Sequence, residues 1–86
     1  MKIKKELIRR EIAGDVILVP VGKTALENNG LFSLNELGAF LWDRLPHAQN
    51  EQDLLRSVLE EYDVPQAQAM QDILEFLEEL KKLGIL

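Results

Sequence analysis

The sequence predicts a small α+β domain, winged-helix-like, in which a three-stranded antiparallel sheet is followed by three helices packed on one of its faces. Three observations carry that prediction. Runs with strand character are confined to the first 34 residues, at 7–12, 16–19 and 31–34. From there on apolar residues recur at helical spacing, interrupted at Pro46 and again at Asp63-Val64-Pro65. And 86 residues suffice for one domain with a small core spanning residues 1–86, not for two.

Residues 7–12 mix polar and apolar in rough alternation, so the first strand keeps a wet face; residues 16–19, Val-Ile-Leu-Val, are apolar throughout and read as sandwiched. Gly14-Asp15 between them reads as a two-residue hairpin loop opened by glycine. Pro20 has no amide to give to a ladder and marks the strand's end or an edge. Residues 21–27 carry no clear signal. The triplet Asn28-Asn29-Gly30 favours positive φ and reads as a turn, after which Leu31-Phe32-Ser33-Leu34 forms a third strand. A short strand that feeds a helix belongs at a sheet edge, with its amides and carbonyls unpaired.

Ser33 and Glu36 match a capping box, with Asn35 a second possible cap, so the first helix starts near residues 34–36. Leu34, Leu37, Leu41 and Leu45 follow at helical spacing with Phe40 and Trp42, the latter read as a core anchor, until Pro46 ends the helix. Asn50 caps the second helix, whose stripe is Leu54, Leu55, Val58, Leu59 and Tyr62. Pro65 sits in the first turn of a third helix over about residues 65–83, closed by Gly84 with Lys81 and Lys82 near its negative pole. Met70, Ile73, Leu77 and Leu80 form its central stripe. Leu74 flanks them on one side; Ala69, Phe76 and Leu83 flank them on the other. That apolar arc spans about 180°, wider than one core contact needs. One rim of it therefore faces either further core or a groove beside the third strand.

Composition removes whole classes of chemistry. There is no cysteine, hence no disulfide, thiolate catalysis or sulfur-ligated metal, and the single histidine, His47, sits in a loop after Pro46. The five glycines form no phosphate-binding pattern, and neither metal nor cofactor is called for. Glu60, Glu61, Asp63, Glu75, Glu78 and Glu79 read as a solvated helix surface. No apolar run is long enough to cross a membrane and no signal segment opens the chain, so a soluble cytoplasmic domain is expected.

Charge is uneven. Residues 1–13 carry five basic and two acidic groups, net +3; residues 14–86 carry five basic and thirteen acidic, net −8, giving the overall −5. The last two helices have the shape of a winged helix-turn-helix, which raises a DNA-binding regulator as a rival reading. Its would-be recognition helix, however, bears Asp72, Glu75, Glu78 and Glu79, which repel a phosphate backbone. A third reading is a purely structural subunit of an enzyme complex. An exposed strand edge beside a wide apolar helix instead suits capture of an extended peptide, or self-association into a homodimer.

The strings Leu-Val-Pro-Val-Gly (18–22), Asn-Gly-Leu-Phe-Ser-Leu-Asn-Glu-Leu-Gly-Ala-Phe-Leu-Trp (29–42), Glu-Tyr-Asp-Val (61–64) and Asp-Ile-Leu-Glu-Phe-Leu-Glu-Glu-Leu-Lys-Lys-Leu-Gly-Ile-Leu (72–86) together resemble the PqqD family, the pyrroloquinoline quinone synthesis protein D-like proteins, over roughly residues 6–86. The resemblance implies a recognition element for ribosomally synthesised, post-translationally modified peptides. Such a domain is a non-enzymatic adaptor that binds the leader region of a precursor peptide and presents it to a modifying enzyme, often of the radical SAM type. It implies that the leader adds to the third strand and lies against the third helix. Carried over, the edge is Gly30, Leu31, Phe32 and Ser33; the apolar arc, not a family motif, selects the side of the third helix bearing Ala69, Asp72, Phe76 and Leu83 as the pocket wall. Family members are often fused to their enzyme. This chain reads as a free-standing domain: a separately encoded partner, or a divergent member whose peptide is not the quinone precursor.

Overall fold

In a computed structural model, which describes residues 1–27 and 30–86, two strands open the chain as a hairpin. Strand β1 (Leu7–Ile12) pairs antiparallel with β2 (Asp15–Pro20), in a register that sets Ile12 opposite Asp15 and Leu7 opposite Pro20. The loop is therefore Ala13-Gly14, one residue earlier than the sequence suggests, and both residues take positive φ (52° and 87°). Those signs match the right-handed twist of the flanking strands. Pro20 closes the strand.

Residues 22–27, which carry no sequence signal, form a six-residue helix, α1 (Gly22–Glu27). Thr24, its one buried residue, ties it to the chain before β1 by accepting the Glu6 amide at 2.9 Å. The turn expected at Asn28-Asn29-Gly30 falls on 28 and 29, outside the described residues. Strand β3 (Phe32–Leu34) then pairs antiparallel with β2, Leu18 opposite Phe32 and Val16 opposite Leu34. The sheet order is β1-β2-β3, so β3 is an edge as expected, and Gly30 and Leu31 precede it rather than belong to it.

Helix α2 (Glu36–Arg44) begins at Asn35, whose side chain accepts the Gly38 amide at 2.7 Å. Ser33 stays in the strand, so the capping role falls to Asn35, not to the Ser33–Glu36 pair. A 3₁₀ turn at Leu45–His47, holding Pro46, ends α2. Helix α3 (Glu51–Glu61) is capped as predicted by Asn50, which accepts the Asp53 amide at 3.1 Å. Helix α4 (Gln66–Lys82) has Pro65 as its N-cap, just outside the first turn. At its other end Gly84 takes a φ of 74°; its amide reaches the Lys81 carbonyl at 3.0 Å and the Ile85 amide reaches Leu80 at 2.9 Å. This paired closure needs a left-handed residue, which glycine supplies without strain. It also turns Ile85 into the core, where its carbonyl accepts the Lys4 amide at 2.7 Å.

The helices cover the face of the sheet that presents Val16 and Leu18. Leu18, Leu41, Leu45, Leu54, Val58, Ile73 and Ile85 are the fully buried centre, and Trp42 lies with them as the anchor the sequence suggested. Two expectations are corrected. Strand β2 is not sandwiched: Ile17 and Val19 on its other face are only half-buried, and Ile8 and Ile12 of β1 stay exposed. Leu59 is exposed, leaving the α3 stripe to Leu54, Leu55 and Val58. On α4 the buried stripe is Ala69, Ile73, Leu77 and Leu80, so Ala69 takes the place expected of Met70, which is half-buried.

Candidate functional site

The β-sheet leaves one side of β3 without a neighbouring strand among the described residues. That side opens onto a cleft of about 630 Å³ whose opposite wall is α4. Leu31, Phe32, Ser33 and Leu34 line the strand side, Leu37 and Gly38 of α2 the base, and Asp72, Phe76 and Leu83 with Glu75 and Glu79 the helix side. The geometry follows from the sequence locally. The strand alternates, so Phe32 and Leu34 turn towards the helices while Ser33 turns out. Gly38 brings the floor close: a Cβ there would lie 3.5 Å from Cε1 of Phe76, so the ring rests almost on the α2 backbone.

Six of the eight residues singled out from the sequence meet in this cleft: Leu31, Phe32, Ser33, Asp72, Phe76 and Leu83. Gly30 is exposed just before the strand and does not line it. Ala69 is a correction, for it is 2% exposed and belongs to the core rather than to a pocket wall. The cleft runs along positions 72–83 of α4, and Ala69 lies one turn too early, within the buried core cluster. Phe76 and Leu83 are half-buried, packed at the core's margin with one side towards the cleft. Glu75 and Glu79 are exposed, as the sequence predicts, and also line the cleft. Their spacing from Asp72, i+3 and i+7, was the available signal that they share its face.

The cleft pairs an apolar floor with an acidic rim. Around the helix at ~100° per residue, Leu80 and Phe76 lie deepest, Leu83 and Asp72 next, and Glu79 and Glu75 outermost. Asp72 accepts from the Gln68 amide at 2.9 Å and Glu75 from Gln71 at 3.2 Å. Among the described residues, none of the three acids has a cationic partner; the ion pair on this helix joins Lys82 to Glu78. No group of three or more potential metal ligands occurs among the described residues, and no helix is long and apolar enough to cross a membrane. A second, smaller hollow of about 420 Å³ lies between the hairpin and α2, where Arg9 and Asp43 are paired at 3.1 Å. Outside the main cleft, the Phe40 ring meets Tyr62 edge-on at 5.3 Å with the Arg44 guanidinium 4.9 Å from the Phe40 centroid. Desolvation, and then the charges of Glu36 and Glu61, raise the Tyr62 phenol above its ordinary pKa.

The family model for "Coenzyme PQQ synthesis protein D (PqqD)" matches residues 15–86, from β2 to the last residue. Two solved structures share the fold. "TbiB1 in Complex with the TbiA(beta) Leader Peptide" superposes with a TM-score of 0.75 at 21% identity, over 99% of this chain and 93% of that one. "Lasso peptide synthetase B1 complexed with the leader peptide" gives 0.74 at 20%, over 98% and 93%. No curated protein matches the sequence.

Proposed function

The chain belongs to the PqqD family, and on that premise we propose that it is a peptide-binding adaptor that captures the leader region of a ribosomally made precursor peptide by strand addition. One observation carries the reading: the unpaired side of β3 opens directly onto an apolar cleft walled by α4. The leader's main chain bonds the β3 edge within residues 31–34, and its inward side chains enter between Phe32 and Phe76. That two proteins of the same fold are held in complex with leader peptides supports the reading. The adaptor performs no chemistry; it presents the bound precursor, in the cytoplasm, to a modifying enzyme of the radical SAM type, which docks elsewhere on the domain. Leaving its mouth unobstructed requires that the domain work as a monomer or dimerise away from β3.

Isothermal titration with leader peptides encoded beside the gene tests this. Binding that is lost in Ser33→Pro, which removes an outward-pointing backbone donor from the edge while the Phe32 amide stays paired to β2, is the expected result. Retention on heparin with a steep salt slope on duplex DNA would instead favour the regulator reading. Nothing in the site favours it, since α4 offers Asp72, Glu75, Glu78 and Glu79 where a recognition helix needs cations.

A further inference from the structure

From the charge on the cleft wall we infer that the occupant is a basic peptide: an extended segment with apolar side chains at alternate positions and lysine or arginine beside them. The inference rests on the peptide-capture reading and adds to it the class of sequence captured. Asp72, Glu75 and Glu79 stand on the helix wall and form no ion pair among the described residues, the one lysine beside them, Lys82, being paired to Glu78, and the facing strand, residues 31–34, supplies no charge of either sign. A neutral segment would leave three like charges facing each other across one helix face. An acidic segment would add repulsion to desolvation. A basic segment does the opposite at no cost to packing, because the apolar surface lies deeper than the acids. Phe76 and Leu80 form the deep part of the helix wall, and Glu75 and Glu79 its lip. A lysine or arginine at the lip lays its methylenes along the apolar wall and keeps its charge at the carboxylates in solvent. An added strand alternates its side chains, so inward positions two residues apart, about 6.6 Å, fill the floor. The acids spread over two turns, about 10.5 Å, so cations flanking that pair meet different carboxylates.

The test is a display selection of random 12-residue peptides against the full chain and against the triple variant Asp72→Asn/Glu75→Gln/Glu79→Gln. These positions lie outside the buried core, and circular dichroism checks that the variant folds as the parent does. Peptides from the parent are expected to alternate apolar residues and to be enriched in lysine and arginine. Their affinity should fall roughly 5- to 20-fold on the triple variant at low salt, the sum of three exposed pairs, and the gap should close as salt is added. Selected peptides that alternate apolar residues and need an intact β3 edge, but show no basic excess or bind the variant equally well, would overturn the inference and leave strand capture standing. If no selected peptide depends on the β3 edge, the capture reading fails and takes the inference with it.

Discussion

Phe76 and Leu77 are neighbours on α4 with different surroundings, and truncating each to alanine separates cleft from core. Leu77 is 3% exposed and sits in the buried stripe, so Leu77→Ala loses transfer free energy and leaves a cavity, about 2–5 kcal/mol. A chain of this length has roughly 4–13 kcal/mol of total stability, so the domain approaches its limit. Phe76 is half-buried at the core's margin, and Phe76→Ala should cost only about 1–2 kcal/mol. At the middle of the two ranges the costs differ by about 2 kcal/mol, so at ~4–8 °C per kcal/mol Leu77→Ala should melt roughly 8–16 °C below Phe76→Ala. Peptide affinity should show the reverse order. If a bound strand covers the remaining half of the ring, about 60–100 Å² at ~25 cal/mol per Å², then Phe76→Ala forfeits about 1.5–2.5 kcal/mol, or roughly 10- to 70-fold. Thermal melts by circular dichroism and titration with a captured peptide read both numbers. A Phe76→Ala variant that stays folded and binds unchanged refutes the cleft assignment; one that melts as low as Leu77→Ala shows the ring to be core.

Three further outcomes test the frame that holds the cleft. Ala13 occupies the first left-handed position of the hairpin loop, so Ala13→Asn, which makes Asn-Gly, should stabilise the fold by about 0.5–1 kcal/mol in a urea melt. Gly84→Ala must hold an L-residue at a φ of 74° and should cost about 1–2 kcal/mol, weakening with it the seating of Ile85. The Tyr62 phenol, raised in the folded state, contributes stability that is complete below the ordinary tyrosine value near 10 and is lost as pH climbs through the higher folded one. Its absorbance titration should therefore have a midpoint above that of the denatured chain, and Tyr62→Phe should flatten the alkaline fall in stability.

Much of this architecture is legible because it rests on local chemistry. Asn50 caps α3, Gly84 closes α4 and the edge position of β3 follows from a short strand feeding a helix, each set by a few adjacent residues. The sequence was silent or misleading where tertiary contacts decide. Helix α1 is too short to show a period and is held by Thr24 to the Glu6 amide, eighteen residues away. Strand β2 looked sandwiched because Ile17 and Val19 are apolar, yet only one face is covered. Of the cleft, periodicity located Phe76 and Leu83 on the rim, but it also nominated Ala69, because a helical wheel does not say how far along α4 the strand extends. The same wheel set Glu75 and Glu79 beside Asp72. What sequence alone lacked was the strand across from them.

Strand addition itself is best read from backbone amides. With ¹⁵N-labelled domain saturated by a selected peptide, hydrogen exchange should slow at outward-pointing amides within residues 31–34, and nuclear Overhauser contacts should link the peptide's Hα protons to those of that strand. Slowed exchange confined to the hairpin, to α2 or to the exposed face of α3, with residues 31–34 exchanging as in the free domain, would contradict capture at the β3 edge.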